Sequence, residues 1–339
     1  MNRLFSVLAI LLTLALVPAC LNAAEPVQHD LRIALYPGEH RFTAKDMVTV
    51  PGNLLPEFRF LLHHGLAPTT PTPGVSLVKE TARSGRVPLE SFKVTLPAGQ
   101  NRFILEYGGS IHHPFEAYGK EQARGFKQTP GMIFGEGVYL AGSSFWYPNF
   151  HEGLVTFTLQ VQLPPEWDAV SQGVRTLHDR QGDKTLVRWE SPKPQEEIYV
   201  VAAAFTEYSQ AAGGVDAMVF LRTPDQELAS KYLDATVRYL AMYEELIGPY
   251  PYKKFALVEN FWETGFGMAS FTLLGPKIIR FPFILHSSYP HEILHNWWGN
   301  SVFPDYRKGN WAEGLTAYLS DHLIKEMRGN GVDYRQQTL

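Results

Sequence analysis

One cysteine, Cys20, stands in 339 residues, so no disulfide can form within the chain. The fold must be held by its apolar core, which a chain this long can build. An excess of basic charge is also missing: 30 Lys and Arg against 34 Asp and Glu leave a net charge of −4 and a pI near 6.3. That balance offers no electrostatic footprint for nucleic acid, which is excluded as an expected partner. Long apolar runs are absent apart from Leu4 to Val17, which is too short for a membrane span, so no stable span is expected. There is no repeat of fixed period. What remains, 45% hydrophobic and 19% charged residues, is the composition of a soluble globular protein of about two domains.

Residues 1–24 read as an export signal: Asn2-Arg3, the apolar run, then small residues ending at Ala23-Ala24 before Glu25. Two processing readings stand side by side. Ordinary cleavage falls near Ala23 or Ala24. Alternatively, Val17-Pro18-Ala19-Cys20 is similar to a bacterial lipoprotein signal and would leave a lipid anchor on Cys20, although Pro18 fits that pattern poorly. Both place the mature protein outside the cytoplasm, in the periplasm, the cell envelope or the medium.

From residue 25 to 209 the signals are short strands separated by Pro, Gly and Asn. In Leu154 to Leu163, Val155, Phe157, Leu159, Val161 and Leu163 alternate with Thr and Gln, the period of a strand with one buried face. Similar runs occur at Asp30–Tyr36, Phe92–Leu96, Arg102–Tyr107, Thr185–Trp189 and Ile198–Phe205, whereas Ala117 to Pro130 is polar and loop-like. The texture changes after Gly213-Gly214. Ala217–Leu221 reads as a strand, and Thr223-Pro224-Asp225-Gln226 then gives a cap at Thr223 and a proline in the first turn of a helix ending at Gly248. The expected architecture is an all-β domain over residues 25–209, of antiparallel sandwich or saddle-like form, followed by an α+β domain over 210–339.

The chemistry is concentrated in His291-Glu292-Ile293-Leu294-His295 and in Glu313 of Asn310-Trp311-Ala312-Glu313-Gly314. Residues four apart share a helix face, so His291 and His295 can present two imidazoles to one ion. Ser287 and Ser288 can cap that helix, Pro290 fits its first turn, and Gly299 can stop it after Trp298. Glu292 is rotated off the histidine row and can act as a general base, while Glu313 begins a second amphipathic run with Leu315, Tyr318, Leu319, His322 and Leu323. Hydrolytic zinc keeps three protein ligands and one open position, which this set can supply. Two buried histidines on one face can also be core residues bonded to backbone; the downstream glutamate favours the metal.

These motifs resemble the membrane alanyl aminopeptidase family of gluzincin zinc peptidases. The similarity extends to Asn296-Trp297-Trp298-Gly299-Asn300, Gly314-Leu315-Thr316-Ala317-Tyr318, Tyr243-Glu244-Glu245 and Pro249-Tyr250-Pro251-Tyr252, with weaker likeness at Trp146-Tyr147-Pro148 and Tyr199–Phe205. The resemblance implies a β domain followed by the first part of a thermolysin-like catalytic domain. It also implies one Zn2+ per chain on His291, His295 and Glu313, with Glu292 as base activating a water for peptide-bond hydrolysis. The family's catalytic domain extends further, so the chain is expected to stop at Leu339 before the transition-state tyrosine of that family. Tyr318 is expected beside the metal site and Tyr306 exposed in a loop, Phe303–Lys308, that absorbs a spacing one residue shorter than usual.

One further departure bears on specificity. The family's Gly-Ala-Met-Glu-Asn loop, whose glutamate holds a substrate's free amino group, is matched by Phe266-Gly267-Met268-Ala269-Ser270. Gly267, Met268, Ala269 and Ser270 are expected to line the substrate cleft, yet Ala269 cannot bind an ammonium, and Glu263 is the nearest carboxylate that could replace it. Of the aromatics nearby, Trp262, Phe266, Phe271, Trp297, Trp298 and Trp311, most are expected in the core, with one or two lining an apolar pocket. The expected function is that of an exported zinc metallopeptidase, aminopeptidase-like, acting on peptides. The alternatives are an endopeptidase or a peptidase of blocked N-termini, and a non-catalytic zinc-containing peptide-binding module.

Overall fold

A computed structural model of the chain describes residues 25–117, 127–150 and 153–338, so the readings of residues 1–24 and Cys20 lie outside the described residues. Val155–Leu163 shows the alternation its sequence requires, with all five apolar residues buried. It occupies the middle of a six-stranded sheet ordered Val174–Gln181, Lys184–Gln195, Val155–Leu163, Val27–Tyr36, Arg41–Thr49, Arg102–Ser110. The pairing of Val27–Tyr36 with Val155–Leu163 is parallel, which corrects the expectation of a purely antiparallel domain. The long excursion through residues 37–154 lets the chain re-enter in the same direction, as a hairpin cannot.

Two smaller sheets cover this one: Glu57–His63, Leu89–Thr95 and Ser76–Arg83, and Asp168–Val170, Val200–Ala203, Gly137–Leu140 and Gly131–Phe134. Phe42, Phe60, Phe103, Trp146 and Trp189 fill the core between them. The buried indoles do not waste their donors, since Trp146 donates to the Ile198 carbonyl at 3.1 Å and Trp189 to that of Ala169 at 2.8 Å.

The second sheet is mixed and runs Thr206–Ala212, Val215–Leu221, Lys254–Glu259, Phe271–Leu274, Gly265–Met268. Its first strand crosses residues 209/210, the expected boundary. Gly213-Gly214 is the tight turn of a hairpin within this sheet, both glycines having positive φ (58° and 92°), as a two-residue hairpin turn demands. Helix α1, Gln226–Leu246, is capped by Asp225 rather than Thr223: the Asp225 carboxylate accepts from the Leu228 N–H at 2.9 Å, and Pro224 lies outside the helix. Tyr232, Leu233, Tyr239, Leu240 and Tyr243 of α1 pack with Val219, Phe255 and Leu257 of the sheet and with Tyr289, Ile293 and Leu294 of the metal-motif helix.

Lys254, at 1% exposure, joins the two domains. Its ammonium donates to the Ser171 carbonyl at 2.8 Å and to the Ser270 carbonyl and hydroxyl at 3.1 and 2.9 Å, with the rings of Trp189 and Phe271 on either side. Burial, reinforced by Arg175, pulls its pKa well below the usual lysine range.

A buried histidine pair makes the β domain sensitive to acid. His63 donates through Nδ1 to the His64 carbonyl at 2.8 Å, which leaves its Nε2 to accept from His113 Nε2 at 3.1 Å. Burial, with the charges of His63 and His112, pushes His113 down from 6.5 to about 4. Between those values the unfolded chain binds a proton that the folded chain refuses, so stability is present above pH 6.5 and is lost as pH falls toward 4. Burial lowers His63 as well, so urea titrations at pH 7.5 and 5 are expected to show a loss on the order of 1–2 kcal/mol that His113→Gln reduces.

Candidate active site

Helix α2, Ser288–Leu294, carries the first motif, with Pro290 in its first turn and Tyr289, Ile293 and Leu294 buried. Regular α geometry ends at Leu294, earlier than the Trp298 expected, because the Asn296 and Trp297 N–H groups tighten onto the carbonyls three residues back. Gly299 then turns the chain with φ +94°, and a Cβ there would lie 3.3 Å from His295 Nδ1. The stop is buttressed from outside, since Trp297 donates to the Gly248 carbonyl at 3.0 Å and stacks edge-on with Tyr250 at 5.1 Å. Pro249 to Tyr252 therefore hold the turn after the metal motif.

Glu313 comes from helix α3, Trp311–Ala317, capped by Asn310, whose side chain accepts from the Glu313 N–H. A hydrogen bond of 2.7 Å from the Trp298 indole to the Thr316 hydroxyl fixes α3 against the segment that follows α2. The shortened loop ends in a single turn, Tyr306–Lys308, capped by Asp305, and does not disturb either ligand-bearing segment. A π turn, Tyr318–His322, continues α3 into α4, Leu323–Met327, and presents Ser320 and Asp321 toward His291. Such turns recur where helices serve a site.

His291 Nε2 lies 3.1 Å from His295 Nε2 and 3.1 Å from Glu313 Oε1, and His295 Nε2 lies 3.4 Å from Glu313 Oε2. Donors bonded to one tetrahedral zinc at its usual distances stand about 3.3 Å apart, so this set fits that ion and leaves a fourth position. The hydrogen bonds from His291 and His295 hold the Glu313 carboxyl far below its usual range. Burial pulls His291 down, but its bond to Glu313 and the charges of Glu292, Glu313 and Asp321 outweigh that and raise it. Burial pushes Glu292 up, partly offset by the two histidines.

A second group of three such side chains occurs among the described residues, Asp168, His178 and Glu207. There Arg175 occupies both Glu207 oxygens at 2.7 and 2.6 Å, so the group is an ion-pair network already supplied with its cation.

The strand Gly265–Met268 is the outer edge of the second sheet, paired on one side with Phe271–Leu274. It passes directly over Glu292: a Cβ on Gly267 would come 2.3 Å from Glu292 Oε2 and 3.7 Å from His295 Cδ2. Beneath it opens a cavity of about 910 Å³ lined by His291, Glu292 and Glu313 and by an apolar wall that includes Phe266, Phe281 and Phe283.

Of the four residues expected to line the cleft, Gly267, Met268 and Ala269 border cavities. Ser270 does not. It is fully buried at φ +67°, its N–H donates to Asn296 at 2.6 Å, and its hydroxyl accepts from Lys254 and from the Gly173 N–H. Glu263 is also elsewhere, accepting from the Lys277 N–H at 3.0 Å. Tyr306 is exposed, as expected; Tyr318 is also exposed and stacks on His322 at 5.1 Å. Trp262, Trp297 and Trp298 are buried, Phe271 is fully buried, and Phe266 and exposed Trp311 are the exceptions. Sequence reasoning gave no role of their own to Asn296, which holds the Ser270 N–H, or to the β-domain residues Tyr139, Glu196, Glu197 and Tyr199, which border the cavities beside Gly267, Met268 and Ala269. The pair of acids beside Tyr199 was the available signal.

Comparison with known proteins yields no matching family model. Aminopeptidase B of Rattus norvegicus is 26% identical over 60% of this chain, and Leucine aminopeptidase 2 of Emericella nidulans is 31% identical over 51% of it. The chain spans about a third of the length of these relatives, 31% and 29%. An M1 zinc metallopeptidase of Deinococcus radiodurans shares the fold with a TM-score of 0.62 at 17% identity, over 91% of this chain and 72% of that one. A mutant of that enzyme bound to a Tyr-Ser-Ala substrate superposes equally well, with a TM-score of 0.62.

Two substitutions separate ligand from neighbour. Glu313→Gln is expected to weaken zinc affinity at least about 100-fold, measured by competition with a chromophoric chelator. Gly267→Ala, which displaces Glu292 and touches no ligand nitrogen, is expected to leave that affinity within a few-fold.

Proposed function

Because the chain belongs to the M1, alanyl-aminopeptidase-type family of gluzincin zinc metallopeptidases, we propose that it hydrolyses peptide bonds at the site formed by His291, His295, Glu313 and Glu292. The observation that carries this reading is the convergence of three ligand side chains beside a buried carboxylate that lies under an open strand edge. Zinc on the three ligands would supply Lewis acidity, polarising the scissile carbonyl and acidifying a coordinated water.

The rest falls to the protein's own groups. The free edge of Gly265–Met268 offers backbone donors and acceptors to an extended peptide, which adds to the sheet as a further strand. Gly267 lets that peptide run close to Glu292. Glu292 takes the proton from the attacking water and returns it to the departing amine, a task suited to its raised pKa. Phe266, Phe281 and Phe283 offer an apolar wall for a substrate side chain.

The names of the curated relatives support an exopeptidase that removes N-terminal residues. Ala269 favours a second reading, hydrolysis of internal or blocked peptides, because it brings no charge to the amino end. The leader-like residues 1–24 support action outside the cytoplasm.

Glu292→Gln is expected to lower kcat by a factor of roughly 10² to 10⁴ while zinc content stays at one ion per chain, read by metal analysis alongside fluorogenic peptide hydrolysis. Hydrolysis unchanged by this substitution would sink the mechanism. Zinc binding with no hydrolysis in the unsubstituted protein would favour a non-catalytic module.

A further inference from the structure

In the β domain a second pair of imidazoles reproduces the arrangement of the pair in the metal motif. His63 and His113 bring their Nε2 atoms within 3.1 Å, with ring centroids 5.1 Å apart and ring planes at 71°. For His291 and His295 the same quantities are 3.1 Å, 4.8 Å and 78°. Donors on one tetrahedral zinc ion stand about 3.3 Å apart, so either pair needs only a slight separation of its rings to admit an ion. Helix pitch explains the first pair and cannot explain the second, whose members lie 50 residues apart in the chain.

His63 is already set as a ligand. Its Nδ1–H is spent on the His64 carbonyl at 2.8 Å, so its Nε2 carries a lone pair directed at His113. A backbone carbonyl on the far nitrogen is also the outer partner that metal-bound histidines have. His113 donates its Nε2 proton across the gap, and moving that proton to its own Nδ1 bares a second lone pair with no net change in charge. Burial, with the charges of His63, His112 and Arg86, holds His113 down at about 4, so protons do not compete for the pair near neutral pH.

The surroundings tolerate a cation. Glu90 puts negative charge beside His63 and Glu116 beside His113, while the positive charge of Arg86 is paired with Glu116 at 2.8 Å and that of Lys79 with Glu90 at 2.5 Å. Both rings are buried but not sealed, at 7% and 8% exposure. Among the described residues no third His, Cys, Asp or Glu completes a group of three there, so the remaining positions fall to water and the site is an open one. Its place in the fold gives an ion something to join. His63 ends Glu57–His63 in one covering sheet, whereas His113 is tied to the other, its N–H donating to the Gly131 carbonyl at 3.0 Å and its carbonyl accepting from the Thr129 hydroxyl at 2.9 Å.

We propose that His63 and His113 form a second metal site, in which their Nε2 atoms bind a divalent ion of the imidazole-preferring class, Zn2+, and clip the two covering sheets of the β domain together. The ion replaces one hydrogen bond between the rings by two metal bonds. The site stands apart from Glu292 and its chemistry, and it holds whether or not the chain is a peptidase.

Calorimetric titration of the full chain with Zn2+ is expected to show two binding steps, the tighter at the three-ligand motif and the weaker at this pair. His63→Gln and His113→Gln are each expected to weaken the second step at least about tenfold and to leave the first within a few-fold. Glu313→Gln is expected to do the reverse. His64→Gln and His112→Gln, at exposed neighbours of the pair, are expected to change neither step. Anomalous scattering at the zinc edge from zinc-soaked crystals locates the ion with no substitution at all, which keeps the test decisive if a variant fails to fold; a peak between the two rings supports the site. A single binding step, a second step indifferent to both His63→Gln and His113→Gln, or anomalous peaks only at other histidines overturns the proposal.

Discussion

The amide of Ser270, donated to the side chain of Asn296, is the contact on which the site depends. Asn296 follows the second histidine directly, so the bond ties the substrate-side loop to the metal motif at a fixed height. From the other side Lys254 binds the carbonyl and hydroxyl of the same serine and the carbonyl of Ser171 in the β domain. Three bodies meet at one buried residue: the metal-motif segment, the edge of the second sheet and the β domain. An enclosed network of this kind is costly to leave half satisfied, which is why it can hold a strained serine at positive φ.

From that node the geometry of the cleft follows. Pinning Ser270 sets the register of Gly265–Met268 above Glu292, and the closeness of that approach leaves Gly267 no room for a side chain. It also brings Ala269 to a recess that Glu196, Glu197 and Tyr199 of the β domain line from the other side.

Features governed by neighbours in the chain are legible in the sequence. The facing of His291 and His295 is helix geometry, the buried row of Val155–Leu163 is the period of a strand, and the joining of Glu313 to the histidines needed only a second helix within reach. Errors arose where a local pattern had two solutions. Thr223 and Asp225 both suit a cap, and it is the Asp225 carboxylate that takes the Leu228 N–H. Gly213-Gly214 suits a linker or a tight hairpin, and the pairing of Ala212 with Val215 chose the hairpin. Ser270 has the chemistry to face a ligand, but its backbone turns it inward.

The sequence by itself determined the candidate metal site, because His291, Glu292, His295 and Glu313 are spaced by the pitch of a helix and the reach of one loop, both local properties. Tertiary structure alone decided the surroundings of that centre: that Ser270 is a joint, that Glu263 is spent on a turn, and that Glu196 and Glu197, more than seventy residues before Ala269, close the space beside it. Those placements come from the packing of two domains about a buried lysine, and no spacing along the chain encodes a distance across an interface.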